Sequence, residues 1–293
     1  MKTRKFLRVM IPAGIVLTAI FILAGCASKK NIWGDKEKGL ILSYRFPESK
    51  SLKYIATGDM VQNMEMMGQK FEVTLKNYQV YSLKTDDPSS NPITMDITVD
   101  TMYLNMKTPM NETTPGMEDV IGRNFAIKLT PIGKESDFSQ AEEITFHLGG
   151  ETRSLSAEFQ GFFPDFPANP VKPGDSWSYQ DTIKEESGGN WLHLYINCTA
   201  TFEGYETLSG RKCARVTVPF SGTLLGEGTT RQVEMKTTGD ISGSDTYFFD
   251  YKEGILVKIR SEGTATSVTK TSGEREMTIP ATREFVKEVV LEE

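Results

Sequence analysis

Apolar and polar residues alternate along most of the chain after residue 40. Every second side chain is apolar in residues 71–75, 93–99 and 125–129, and again in residues 247–249 and 255–259. Alternation with a period of two is typical of strands that bury one face and expose the other. The pattern therefore predicts an all-β protein built from antiparallel sheet.

The turns and the few helix signals agree with this interpretation. Residues 208–211 and 250–254 each place a glycine where a hairpin requires a positive φ. Residues 136–144 predict one short helix, capped by Ser136 or Asp137. The predicted fold is a curved antiparallel sheet resembling a half-barrel, with at most one or two short helices.

The arrangement of the strands leaves alternatives open. The chain fits two β lobes or one long half-barrel, and residues 283–291 fit either an edge strand or a helix. Prolines recur at every third position between the strand-rich halves, at Pro164, Pro167, Pro170 and Pro173. This spacing matches polyproline II and predicts a stiff strap that acts as a connector or as a recognition segment, ending in a type II turn at Pro173-Gly174. We assign residues 39–160 to a first lobe, 161–176 to the strap and 177–293 to a second lobe.

The amino terminus carries a targeting signal. Four basic residues precede an apolar run over residues 9–23, which leads into Leu23-Ala24-Gly25-Cys26. This segment resembles the bacterial lipoprotein signal, in which cleavage before the cysteine is followed by acylation. The resemblance implies a signal peptide over residues 1–25, lipidation at Cys26, a polar tether over 26–38 and attachment to a membrane through the lipid anchor. An uncleaved signal anchor is the alternative.

The same resemblance bears on location. Ala27 follows the cysteine, where an aspartate tends to retain lipoproteins of Gram-negative cells at the inner membrane. The resemblance therefore implies the outer membrane in such a cell, on its periplasmic or surface side, and the outer leaflet of the single membrane in a Gram-positive cell.

Charge narrows the range of partners. Removal of residues 1–25 takes away four basic side chains, so the net charge changes from −6 to −10. Nucleic acids and anionic lipid surfaces are therefore unfavourable partners.

Two cysteines remain in the mature chain. The alternation places Cys198 on the apolar face of its strand and Cys213 on the opposite face of the next strand. Side chains on opposite faces cannot form a disulfide, so we predict a buried and an accessible free thiol. A bulge at Gly204 or Gly210 would rephase one strand, and this leaves a disulfide open.

The sequence offers little for catalysis. His147 and His193 are the only histidines and lack the spacing of zinc or catalytic-triad motifs. Asp240, Asp245 and Asp250 lie among glycines and are interpreted as turn residues. A pair of glycosidase carboxylates leaves no local signature and stays open. We predict no catalytic residue, no metal and no cofactor.

Methionine is concentrated in the first half. Nine of the thirteen methionines fall between residues 60 and 117. Three interpretations stay open: filling of a curved core, an adaptable apolar groove, and a Cu(I) site. The groove interpretation assigns Met64, Met66, Met102 and Met106 to ligand contact.

Several segments carry a family resemblance. Residues 166–177, with Pro-Val-Lys-Pro-Gly-Asp-Ser-Trp at their centre, together with residues 122–134 and 246–258, resemble an uncharacterised bacterial lipoprotein family. The anchoring and topology also resemble lipid-carrier lipoproteins of the half-barrel type. We predict a non-enzymatic envelope lipoprotein that binds an apolar ligand, such as a lipid or acyl chain, or an envelope protein, with the methionine-rich sheet of the first half as the contact surface. The alternatives are a structural or interaction lipoprotein without a small ligand and, third, an envelope hydrolase.

Overall fold

The computed structural model describes residues 38–47, 50–148, 151–187, 189–230, 233–272 and 276–292. The apolar run over residues 9–23, Cys26 and all of the proposed tether except Lys38 lie outside the described residues. Within the described ranges, no helix combines the length and the apolar character needed to cross a bilayer.

Fourteen strands and two short helical segments follow one another along the described chain. They are β1 (Leu52–Met66), β2 (Gln69–Lys84), β3 (Ile93–Lys107), β4 (Glu112–Thr113), β5 (Asn124–Leu129), β6 (Glu135–Ser136), α1 (Ser139–Glu142), β7 (Thr145–Leu148), β8 (Glu151–Ser154), a 3₁₀ turn (Leu155–Glu158), β9 (Ser176–Ser187), β10 (Asn190–Leu208), β11 (Arg211–Thr230), β12 (Val233–Asp250), β13 (Ile255–Thr271) and β14 (Met277–Leu291).

Twelve of the strands form one antiparallel sheet. Its order is β6-β5-β3-β2-β1-β14-β13-β12-β11-β10-β9, with β4 paired to β3, whereas β7 and β8 form a separate hairpin. The sheet is open, because β6 and β9 lie at its two edges within the described chain. The predicted all-β fold with a curved antiparallel sheet and little helix is confirmed.

The β1–β14 pair joins strands from both halves of the chain into this sheet. Residues 283–291, which fitted an edge strand or a helix, form part of β14 and lie between β1 and β13 in the interior of the sheet. Their alternating apolar residues therefore find partners on both sides.

A layer of loop and turn covers one end of the sheet. Residues 38–47 and 155–171 supply apolar side chains that pack against the sheet, including Leu42, Tyr44, Phe159, Phe163 and Phe166. We call the sheet face that they contact the inner face and the opposite one the outer face. The layer is fixed by backbone hydrogen bonds to several neighbours, among them Tyr44 N to Pro131 O at 2.8 Å and Arg45 N to Gly254 O at 2.8 Å.

The covering layer also links the two sheet edges. Gln160 exchanges two hydrogen bonds with the backbone of Lys184 on β9, at 2.7 and 3.0 Å. On the other edge, Glu135 of β6 accepts a hydrogen bond from Phe163 N at 2.7 Å. Lys134 reaches across to Asp181 of β9, at 3.5 Å. The sheet therefore curves around the layer at this end.

The turn at the end of the strap and the hairpin turns follow the sequence. Gly174 has a φ of 93° and Asp175 N bonds to Lys172 O at 2.9 Å, so the predicted turn at Pro173-Gly174 is present. Gly210 and Gly254 have φ values of 72° and 74° and lie in the turns after β10 and β12. Positive φ favours glycine, which has no Cβ to clash.

The predicted helix is present as the four-residue α1, but its predicted cap is wrong. Phe138 is the cap residue and no side chain caps the helix. Asp137 instead adopts a φ of 64° and accepts a hydrogen bond from Ser139 Oγ at 3.1 Å. The aspartate therefore shapes the entry to the helix through a local turn.

The cysteines are both free, as predicted, but the expected accessibility of Cys213 is wrong, because both thiols are buried. The pairing of β10 with β11 skips Glu203, so the anticipated bulge at Gly204 is present. Cys213 keeps its outward phase beside Asp250, and there Arg211 pairs with Asp250 at 3.3 Å. This ion pair lies beside the buried thiol at that end of the sheet.

Candidate functional site

The strands extend well beyond the covering layer. On β11 the inward residues Ala214, Val216 and Val218 are fully buried, whereas Phe220 and Leu224 are only half-buried. About ten residues of β11 follow Phe220, which corresponds to about 33 Å of strand. The inner face therefore continues past the layer, and no described segment covers it there.

Apolar residues occupy most inward positions of this extension. We call the following half-buried side chains the open inner face: Met60, Met64 and Met66 of β1, Phe71, Val73 and Leu75 of β2, Met106 of β3, Ile279, Ala281 and Phe285 of β14, Ala265 of β13, Ile241 of β12, Phe220 and Leu224 of β11, Leu192, Leu194 and Ile196 of β10, and Ile183 of β9. Their neighbours in sequence point outward and are mostly exposed. The difference between the two faces follows from the period of two.

Two phenylalanines line the centre of the open inner face. A cross-strand row runs from Phe220 through Gly243 and Gly263 to Phe285. A Cβ at Gly243 would lie 2.5 Å from Phe220 Cζ, and one at Gly263 would lie 2.7 Å from Phe285 Cζ. The glycines are therefore required for the two rings to lie flat over β12 and β13.

The predicted methionine contacts share one face but differ in depth. A bulge at Asp100 shifts the phase of β3, so Met102 and Met106 point inward together with Met64 and Met66. Met102 is 3% exposed and belongs to the covered core. The other three are half-buried and lie on the open inner face.

A methionine that the sequence did not single out lies at the centre of this cluster. Met60 occupies one cross-strand row with Leu75 and Met106, whereas Met64 pairs with Phe71 nearer to the β1–β2 turn. Met67 lies in that turn, is 76% exposed and points away from the cluster.

A polar row separates the covered core from the open inner face. One cross-strand row contains Asp245 of β12, Ser261 of β13, Lys287 of β14 and Asn77 of β2. Asp245 Oδ1 and Asn77 Oδ1 are buried and have no hydrogen-bond partner among the described residues. Four strand spacings, about 19 Å, separate Asp245 from Asn77.

The next row toward the core contains further unpartnered polar groups. Tyr247 and Gln79 are completely buried, and the Tyr247 hydroxyl and both amide atoms of Gln79 lack a hydrogen-bond partner within the described chain. Buried polar groups without partners cost about 1–3 kcal/mol each and are uncommon in native folds. Their concentration at the boundary of the open inner face marks it as a candidate binding site.

Carboxyl groups outnumber ammonium groups around Asp245. Glu135 and Asp165 lie beside Asp181, which also acts on Asp245. Two lysines neutralise part of this negative charge. Lys134 pairs with Asp165 and Asp181, and Lys287 pairs with Glu158 at 3.5 Å. Burial raises the pKa of Asp165 and of Asp245 to about 6.

Two further titratable candidates from the sequence are a thiol and a histidine. Burial raises the pKa of the Cys198 thiol to about 12, which disfavours the nucleophilic thiolate. His193 points outward, as its phase predicted, and contacts Glu186 at 3.0 Å. Among the described residues, no group of three or more His, Cys, Asp or Glu side chains could hold a metal ion.

The interpretation of the three aspartates as turn residues holds only for Asp250. Its Oδ1 accepts the backbone N–H groups of Lys252 and Glu253, at 2.9 and 3.1 Å. Asp240 and Asp245 instead lie within β12, on the outer and the inner face respectively. Asp245 is in phase with Tyr247 and Phe249, so the alternation itself carried the signal that the sequence interpretation missed.

The outer face carries a groove of about 830 Å³. It spans six strands, β1, β2 and β11 to β14, and is bordered mainly by threonines and charged residues, including Glu65, Lys70 and Asp240, together with Leu225 and with Met64 and Ala281 of the open inner face. None of the buried unpartnered atoms described above borders this groove. The open inner face therefore remains the better candidate for an apolar ligand.

Comparison with known proteins adds little to this description. No family model matches the sequence. No curated protein matches it. Solved structures with some similarity include the Pseudomonas aeruginosa proteins OccK2 (OpdF) and OccK11 (OpdR), at 7% and 6% identity over 84% and 89% of this chain and 99% and 100% of theirs, with TM-scores of 0.24 and 0.21. Scores this low support no statement about shared function or location.

Proposed function

We propose that the protein is a lipid-anchored protein of the cell envelope that binds an apolar ligand, a lipid or acyl chain, without catalysing a reaction. The ligand lies on the open inner face, and Cys26 carries the membrane anchor. In a Gram-negative cell the sequence after Cys26 favours the outer membrane.

One observation carries this proposal: the inner face stays apolar past the point where the covering layer ends. Residues from both halves contribute, for example Leu75, Phe220 and Phe285, and all three are half-buried. Contiguous apolar surface of this extent usually marks a ligand or partner site. An acyl chain suits it because each methylene removed from water contributes about 0.8 kcal/mol.

Methionine gives this surface its adaptability. Met60, Met64 and Met106 have unbranched side chains that repack easily around chains of different length. The predicted envelope protein partner is the competing occupant of the same face. A structural role without a small ligand requires that nothing apolar binds there.

Native mass spectrometry of the full chain purified from its own host tests the proposal. We expect a bound apolar molecule of a few hundred daltons, released by organic solvent. A ligand-free mass, combined with failure of acyl probes to bind, would contradict the proposal and favour the structural role.

Anchoring predicts the behaviour of the Cys26→Ser variant. Without the thiol, acylation cannot occur, so the variant should leave the membrane fraction or accumulate with its signal uncleaved. Fractionation and intact mass measure both outcomes. Wild-type processing and membrane attachment of the variant would exclude the lipoprotein anchor.

The methionines provide a matched pair of variants. Met64→Gln should weaken binding of a fluorescent acyl probe with little loss of stability, since this side chain is only half-buried. Met102→Gln should lower the free energy of unfolding by about 1–3 kcal/mol, because its amide would be buried without a partner. Probe titrations and thermal melts distinguish the two. Equal destabilisation by both variants, without probe binding to the wild type, would show that the methionines only fill a core.

A further inference from the structure

Asp245 lies at the point where the open inner face meets the covered core. One row above it, away from the core, Phe220 and Phe285 lie over Gly243 and Gly263. One row below it lies Tyr247, which is 0% exposed. An elongated ligand on the phenylalanines would therefore place one end beside the Asp245 carboxylate.

The unpartnered atoms here lack a hydrogen-bond donor. Ser261 bonds to the Asp245 carboxylate, but Oδ1 of that carboxylate has no partner among the described residues. The Tyr247 hydroxyl has no partner there either. A carboxylate oxygen only accepts hydrogen bonds, and a hydroxyl oxygen accepts them as well as donating. The missing group therefore donates hydrogen bonds.

The charge of the surroundings specifies the donor further. The nearest lysines are already engaged, Lys134 with Asp165 and Asp181, and Lys287 with Glu158. In this cluster five carboxyl groups, those of Glu135, Glu158, Asp165, Asp181 and Asp245, face two ammonium groups. A cationic donor is favoured, whereas a carboxylate or phosphate head would be repelled.

We propose that the open inner face takes an amphiphile with a protonated amine at its head, bound by Asp245 and Tyr247, with its chain over Phe220 and Phe285. This inference rests on the proposed function and adds the head-group chemistry of the ligand. The ammonium donates hydrogen bonds to Asp245 Oδ1 and to the Tyr247 hydroxyl oxygen. Charge-assisted hydrogen bonds of this kind are about twice as strong as neutral ones.

Photoreactive probes with one twelve-carbon chain and three different heads test the proposal. The heads are a primary amine, a hydroxyl and a carboxylate. The full chain is reconstituted in phosphatidylcholine nanodiscs, because choline has no N–H donor, and labelling is quantified by mass spectrometry against empty nanodiscs. We expect half-maximal labelling by the amine at a concentration about tenfold or more below that of the carboxylate.

Two variants of β12 control for bulk charge. Asp245→Asn removes the carboxylate on the inner face and should abolish the preference for the amine while the alkyl chain still binds. Asp240→Asn removes an exposed carboxylate on the outer face of the same strand and should keep the preference. The labelled peptides should come from β11 to β14, the strands that lie beneath Phe220 and Phe285.

The outcomes separate the two proposals. Equal labelling by all three probes would overturn the amine head while leaving the apolar ligand intact. Absence of specific labelling by any probe would overturn both. Loss of the amine preference in Asp240→Asn as well as in Asp245→Asn would identify a general charge effect and also overturn the head-group site.

Discussion

Replacing Phe159 by alanine is expected to lower the free energy of unfolding by about 3–5 kcal/mol. Phe159 is 0% exposed and contacts the rings of Tyr81, Phe125 and Phe162, with centroids 4.9, 5.0 and 5.3 Å away. It joins the covering layer to β2 and β5. The loss combines the transfer free energy of the ring with the cavity that it leaves.

Urea unfolding measures this effect, and Tyr103→Ala is the matched control. Tyr103 is also an aromatic residue but is 47% exposed on the outer face of β3. Its replacement should change stability by less than about 1 kcal/mol. Similar losses in the two variants would contradict the packing of the covering layer against β2 and β5 through Phe159.

Replacing Asp245 by asparagine is expected to stabilise the protein at pH 8. Burial raises the pKa of Asp245 to about 6, although the hydrogen bond from Ser261 and the charge of Lys287 act in the opposite direction. The folded state therefore binds the proton of this group more tightly than the unfolded state, in which the pKa of the group is near 3.8. This difference between the two pKa values corresponds to about 3 kcal/mol in the free energy of unfolding.

The pH range follows from the sign of this shift. Below about pH 4 the group is protonated in both states and contributes no penalty. The penalty develops between about pH 4 and pH 6 and is complete above that range. The free energy of unfolding of Asp245→Asn should therefore exceed that of the wild type by about 3 kcal/mol at pH 8 and equal it near pH 4.

Urea unfolding at pH 4, 6 and 8 tests this, with Asp240→Asn as the exposed control on the same strand. The control should show no trend with pH relative to the wild type. A destabilising effect of Asp245→Asn at pH 8 would show that the carboxylate is satisfied by the protein itself. A stabilising effect would instead fit a carboxylate that is retained for a ligand.

Much of the candidate site follows from local periodicity, and the rest depends on strand pairing. The phase of Met64 and Met66 follows from β1 alone, because β1 pairs with β2 without a bulge from Leu52 to Met66. The depth of Met102 cannot be predicted from the sequence of its own strand, because it depends on the bulge at Asp100 and on the layer that covers this part of β3. Bulges and covering segments are set by contacts distant in sequence.

The sequence alone determined the fold class, the hairpin turns and which side chains share a face along each stretch of strand without a bulge, because these properties depend on a period of two and on positive φ at glycine. The tertiary structure decided the remainder. It joined both halves through the β1–β14 pair, buried Cys213 under the Arg211–Asp250 ion pair, and aligned Asp245, Ser261 and Lys287 in one polar row. These arrangements depend on register between strands more than 200 residues apart and on which end of each strand the layer covers. No local pattern encodes either property.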